Sequence, residues 1–177
     1  NTRAVQHCVR QFEQADNMTD AMAALGALAN TKIPERENAL EAFYRKWRHE
    51  ALVVDKWLAV QSTSRLPDTL ARIRALKAHE AFSVRNPNKV YALIGGFRAN
   101  QLRFHAADGS GYDFLADAVI ELDTLNPQVA ARMARGFDRW KKFDAGRQAH
   151  ARRALERIRD TTSLSKDVCE IVMRALG

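Results

Sequence analysis

The sequence predicts an all-α chain, a stack of about eight to ten helices packed as antiparallel pairs. Three observations carry that expectation. Apolar residues recur at helical spacing along the chain, no stretch joins apolar–polar alternation to β-branched residues, and each proline stands where a new periodic pattern begins.

Taken in order, Val5, Cys8, Val9 and Phe12 recur at i, i+3, i+4 and i+7, one face of a first helix. Beyond Pro34, the residues Leu40, Phe43, Tyr44 and Trp47 repeat that spacing, and Pro67 marks a further start. Beyond Pro87 the stripe is Val90, Leu93, Ile94 and Phe97. Another helix carries Tyr112, Leu115 and Val119, and the one after Pro127 buries Val129, Met133, Phe137 and Trp140. Two more stripes, Ala151-Ala154-Leu155-Ile158 and Val168-Ile171-Val172-Ala175, close the chain.

First-turn proline costs no hydrogen bond, because the amide it lacks has no helical partner there. Asn86 and Asn126 precede Pro87 and Pro127, and an asparagine at that place accepts from the free amides of the first turn. The two Asn-Pro pairs stand 40 residues apart, the length of a helix-pair repeat, so the stack is expected to be a superhelical α-solenoid of the HEAT or armadillo kind. No Gly/Ser/Pro-rich run uncouples two halves, and residues 1–177 are expected to form one domain.

Composition agrees. Hydrophobic residues at 46% and charged residues at 28% exclude a disordered tail, and 177 residues suffice to bury on the order of 70% of the unfolded surface. Cys8 and Cys169 lie on separate predicted helices and suggest no disulfide framework, so a reducing, cytoplasmic setting is expected. No apolar run approaches the roughly 20 residues that span a bilayer, and no membrane partner is expected. The chain begins at Asn1 rather than a methionine, so a targeting signal further upstream would not be visible in it.

The net charge of +7 is local in origin: ten basic residues stand against four acidic ones between Ala130 and Asp160. Gln128, Arg132, Arg135 and Arg139 fall on a different helix face from the Val129 stripe, forming a polar ridge fit to line a groove. Trp140 and Phe143 sit on or near the apolar stripe, where core packing is their role. Groove-tracking nucleic-acid binders interleave exposed aromatics with their bases, so no nucleic-acid partner is expected.

Three motifs resemble catalytic ones and fail on spacing. His49-Glu50-Ala51-Leu52-Val53 and His79-Glu80-Ala81-Phe82-Ser83 each begin the His-Glu-x-x-His pattern that places two histidines on one zinc ion, and each lacks the second histidine. Gly109-Ser110-Gly111 is neither a nucleophile elbow nor a phosphate cradle. It reads as a tight turn in which Gly109 or Gly111 takes positive φ and Asp108 or Ser110 caps the following helix.

Several segments in order carry a resemblance: Asp55-Lys56-Trp57, Gln61-Ser62-Thr63, Asn86-Pro87-Asn88-Lys89-Val90, Leu93-Ile94-Gly95-Gly96-Phe97, the run Phe104-His105-Ala106-Ala107-Asp108-Gly109-Ser110-Gly111-Tyr112-Asp113-Phe114, Asn126-Pro127-Gln128-Val129-Ala130-Ala131-Arg132, and Leu164-Ser165. Over nearly its whole length the chain resembles the C-terminal helical domain of bacterial aminopeptidase N, a zinc-dependent exopeptidase of the gluzincin kind. The stretch from Arg98 to Arg103 departs from that family's pattern.

The resemblance implies a domain of a larger metallopeptidase, with the catalytic domain of the same polypeptide and a peptide substrate as its partners. It implies zinc in the full-length enzyme; this chain is expected to hold no cofactor, metal or catalytic residue of its own. The helix opened by Asn126-Pro127 would face the catalytic domain, making Gln128 and Arg132 the expected substrate-channel residues. The alternative reading is a free-standing helical-repeat module whose basic ridge holds an acidic protein or RNA.

Overall fold

The computed structural model describes residues 2–177, and all of their regular structure is helical. Twelve segments follow one another: α1 (Thr2–Gln14), α2 (Met18–Leu28), α3 (Pro34–Trp47), α4 (Ala51–Ser62), α5 (Thr69–Lys77), α6 (Pro87–Val90), α7 (Gly96–Ala99), α8 (Gln101–Phe104), α9 (Ser110–Asp123), α10 (Pro127–Ala134), α11 (Ala145–Arg159) and α12 (Lys166–Leu176). A π-helical turn at Tyr91–Gly95 joins α6 to α7 in one continuous rod, so the described residues form eleven α-helical rods. The count passes the expected ten because α8 is a single extra turn.

Helix starts follow the local chemistry. Pro34, Pro87 and Pro127 each occupy the first turn; the Asn86 side chain accepts from the Asn88 amide at 3.0 Å, and Asn126 from Val129 at 3.2 Å. Asp144 and Ser165 cap α11 and α12 in the same way. Pro67 differs from expectation: it lies in the turn before α5, where the Thr69 amide donates to the Leu66 carbonyl at 3.2 Å. That is the second position of a tight turn, which the fixed φ of proline also suits.

Sequence-adjacent helices pack on one another across short turns. α4 sits against α2, α3, α5 and the α6–α7 rod; α9 sits against α8, α10 and α11; and α12 closes on α10 and α11. Val90, Leu93, Ile94 and Phe97 are completely buried, and side chains of this kind each contribute roughly 1.5–3 kcal/mol through burial. The α1 stripe is only half-buried; among the described residues α1 packs chiefly on α2 and α3.

Buried Asn100 ties the end of α4 to the start of α8. Its amide nitrogen donates to the Ser62 carbonyl at 3.1 Å and the Ser64 carbonyl at 2.7 Å, and its oxygen accepts from the Arg103 amide. Carbonyls left free where α4 ends are thus satisfied by a residue from the next layer.

The Gly109 turn is as expected: Gly109 has φ 77°, and the Asp108 carboxylate accepts from both the amide and the hydroxyl of Ser110. Gly111 serves a different need. A Cβ there would stand 2.2 Å from the Phe104 carbonyl oxygen, so the start of α9 can cross α8 only without a side chain. One expected helix is shorter than its stripe suggested. α10 ends at Ala134, and Arg135–Phe137 and Trp140–Lys142 are 3₁₀ turns, although Val129, Met133, Phe137 and Trp140 are all buried. The chain is pulled inward at Gly136, where a Cβ would come within 2.7 Å of Leu115 and 2.9 Å of Arg98 side-chain atoms.

Candidate functional site

The site starts from the π turn. At the end of α4 the Ser62 hydroxyl lies 3.1 Å from the Ala92 carbonyl and 3.0 Å from the Ala59 carbonyl, within reach of a backbone ladder that the π turn displaces by one residue. Gly96 makes this approach feasible, since a Cβ there would stand 2.1 Å from the Ser62 oxygen. The turn carries Tyr91 toward α10.

Arg132, exposed on α10, places its guanidinium 5.3 Å from the centroid of the Tyr91 ring. Its carbonyl accepts a hydrogen bond from Arg98 Nη1 at 2.6 Å. Arg98 is half-buried on α7. Burial holds its guanidinium below the ordinary value, Asp138 acts in the opposite sense, and the like charges of Arg135 and Arg132 add to the lowering. An arginine so shifted still carries its charge at neutral pH.

Arg132 and Arg98, though not Tyr91, line an open groove of about 690 Å³. Its cations are Arg98, Arg132, Arg135, Arg139 and Lys142, and its one carboxylate, Asp138, is 3.2 Å from Arg135 Nε. The groove also meets His105, whose ring stacks on Phe143 at 3.9 Å and whose Nδ1 is 2.8 Å from the Tyr112 hydroxyl. The His105 carbonyl accepts from Arg147 Nε at 2.6 Å. Burial, and after it the Arg147 charge, lower the His105 pKa to about 4, so this ring is neutral at pH 7. What the arrangement can do chemically is hold and orient an anion or a row of carbonyl oxygens.

Of the two residues singled out from sequence, Arg132 lines the groove, while Gln128, one turn earlier on α10, is exposed and outside its lining. Arg135 and Arg139 do join Arg132, but from the 3₁₀ turn and the residues beyond α10. Trp140 has its predicted packing role: its Nε1 donates to the Ala175 carbonyl at 2.8 Å, and its ring lies under Arg152 and Lys141. Sequence reasoning missed Tyr91 and Arg98, which stand on another rod; the only signal for Arg98 was that its segment departs from the family pattern.

The described residues do not fit zinc. His49 is exposed in the turn after α3, and His79 packs on the Tyr44 and Trp57 rings while its Nδ1 accepts from the Ala81 amide. Among the described residues no group of three His, Cys, Asp or Glu side chains could hold a metal ion, and no helix is long and apolar enough to cross a membrane.

An all-helical repeat stack presenting one cationic groove is a helical-repeat domain of the armadillo type. The chain belongs to the family described as DUF3458_C, a domain of unknown function with ARM repeats, whose pattern matches residues 1–177. It is similar to aminopeptidase N of Escherichia coli (strain K12), with 42% identity over 95% of this chain and 19% of that protein. A second relative is aminopeptidase N of Haemophilus influenzae, 42% identical over 94% of this chain and 19% of that protein. Among solved structures, Legionella pneumophila aminopeptidase A in complex with aspartic acid is 36% identical, with a TM-score of 0.94 covering 99% of this chain and 21% of that one. The chain therefore spans about a fifth of the length of these relatives.

Proposed function

We propose that the chain is the C-terminal domain of a zinc-dependent aminopeptidase that removes N-terminal residues from peptides. In this reading it caps the active site of a catalytic domain on the same polypeptide, restricts access to it and lines the substrate channel. The likeness to bacterial aminopeptidases over almost all of this chain carries the proposal. Zinc, when bound, would supply an activated water within the catalytic domain. The residues of this chain would bind and orient: Arg132 from within the groove, and Gln128 from one turn outside its lining, would hold peptide carbonyl or carboxylate oxygens beyond the scissile bond, a task suited above all to the planar guanidinium fork. A cytoplasmic setting accords with two free cysteines, Cys8 and Cys169.

The test is to express the longer polypeptide that carries these residues. It should contain zinc and release N-terminal residues from peptides, whereas the 177-residue chain alone should do neither. Chelator-sensitive activity in the short chain, or none in the long one, overturns the proposal. The basic groove also favours a second reading, a binding module for RNA or acidic protein. Submicromolar, sequence-selective RNA binding at physiological salt would support that reading, since phosphate contacts alone give dissociation constants of about 10⁻⁴ to 10⁻⁶ M.

A further inference from the structure

We propose that the cationic groove receives the free carboxyl-terminal end of short peptides, so that the domain favours peptide acids over otherwise identical peptides with a neutral end. The inference rests on the reading of this face as a substrate channel and names the substrate class that the channel selects.

The charge pattern is one-sided. Five cations face the groove against Asp138 alone, and Asp138 is already engaged by Arg135. Among the described residues, Arg98, Arg132, Arg139 and Lys142 have no carboxylate within ion-pair distance. Four unpaired cations around one concavity raise the local concentration of anions, the more so where Arg98 is partly withdrawn from water. The volume of about 690 Å³ lies within the roughly 300–1,000 Å³ range of small-ligand sites. Arginine forks match a carboxylate in two parallel hydrogen bonds. A nucleic-acid strand is the rival anion, but it needs open aromatic faces on which to stack. Phe143, the groove's aromatic side chain besides His105, is already face to face with that histidine.

The test uses the longer polypeptide with tetraalanine as the free acid and as the C-terminal amide. The acid should be turned over with a kcat/KM about tenfold higher at low salt, the scale of one charge-assisted hydrogen bond. The preference should shrink at 0.5 M salt, where the Debye length falls to a few ångströms. It should vanish in the triple variant Arg132→Ala/Arg139→Ala/Lys142→Ala, persist in Arg132→Lys/Arg139→Lys, and be unaffected by Arg10→Ala on α1. Equal turnover of acid and amide by the unaltered enzyme overturns the inference while leaving the aminopeptidase reading intact. A preference that survives the triple alanine variant also overturns it, because the groove is then not its source. Equal losses on both substrates, with loosened domain packing by limited proteolysis, assign the groove to interdomain docking instead. If the longer polypeptide cleaves no peptide, the aminopeptidase reading fails. Titration of the 177-residue chain by NMR with the same two peptides then decides the matter, with shifts at the groove for the acid alone supporting the inference and equal shifts overturning it.

Discussion

The guanidinium of Arg132 rests 5.3 Å from the centre of the Tyr91 ring, across the seam between α10 and the π turn. The Arg132 carbonyl is held from the same rod by Arg98 at 2.6 Å. An exposed arginine on an eight-residue helix is thereby attached at both its backbone and its charged end. A merely solvating arginine has neither attachment, and the difference has measurable consequences.

If Arg132 holds the peptide beyond the scissile bond, Arg132→Ala in the longer polypeptide should lower kcat/KM for peptides by about ten- to a hundredfold, from roughly 1.5–3 kcal/mol of charge-assisted hydrogen bonding. Short aminoacyl anilides, which offer nothing to that position, should be almost unaffected. Parallel kinetics on the two substrates check it, and equal losses would indicate damage to folding or docking.

Tyr91 is expected to act through Arg132 as a positioning residue. Tyr91→Leu removes a cation–π contact worth about 0.5–1 kcal/mol at an exposed site, which corresponds to about a two- to fivefold loss on peptides. Tyr91→Phe should retain activity, because the ring face remains. In an Arg132→Ala background Tyr91→Leu should have no further effect; an additive loss would show that Tyr91 acts by another route.

The two glycines Gly111 and Gly26 should respond in opposite directions to alanine. At Gly111 the new Cβ meets backbone, the Phe104 oxygen at 2.2 Å, and a loss of about 3 kcal/mol or more is expected. At Gly26, inside α2, the nearest atom is Val60 Cγ2 at 3.7 Å, an ordinary contact. There the substitution should stabilise by about 0.5–1 kcal/mol through helix propensity. Urea denaturation of the two variants reads both.

His105 should make stability depend on pH. Its folded pKa is lowered to about 4 from an ordinary 6.5, so the unfolded chain takes up a proton over an interval in which the folded chain does not. The contribution is complete above about pH 6.5 and declines as pH falls toward 4, by up to about 3 kcal/mol in total. Denaturation midpoints of the chain and of His105→Gln, compared from pH 7 to 4, should converge on acidification. Parallel pH profiles would refute the assignment.

Much of the fold is legible in the sequence because its determinants are local. Val90, Leu93, Ile94 and Phe97 are spaced for one helix face, and all four are fully buried. Asn86 and Asn126 have to cap because a free amide stands two or three residues on, and Gly109 takes positive φ where a side chain would be strained. The all-α class, the helix starts and a basic ridge near Arg132 were decided by interactions within a turn or two of chain.

The groove was decided at longer range. Its five cations span Arg98 to Lys142 and come from α7, α10 and the turns beyond, so only the packing of those elements makes them neighbours. The π turn is held by Ser62, thirty residues from Ala92, and α10 stops at Ala134 because Gly136 is drawn against Leu115 and Arg98. Periodicity shows which face of a helix turns inward but not which rod will cover it. For that reason Gln128 and Arg132, equivalent on a helical wheel, differ in the fold: one stands clear of the groove, and the other is held between Tyr91 and Arg98.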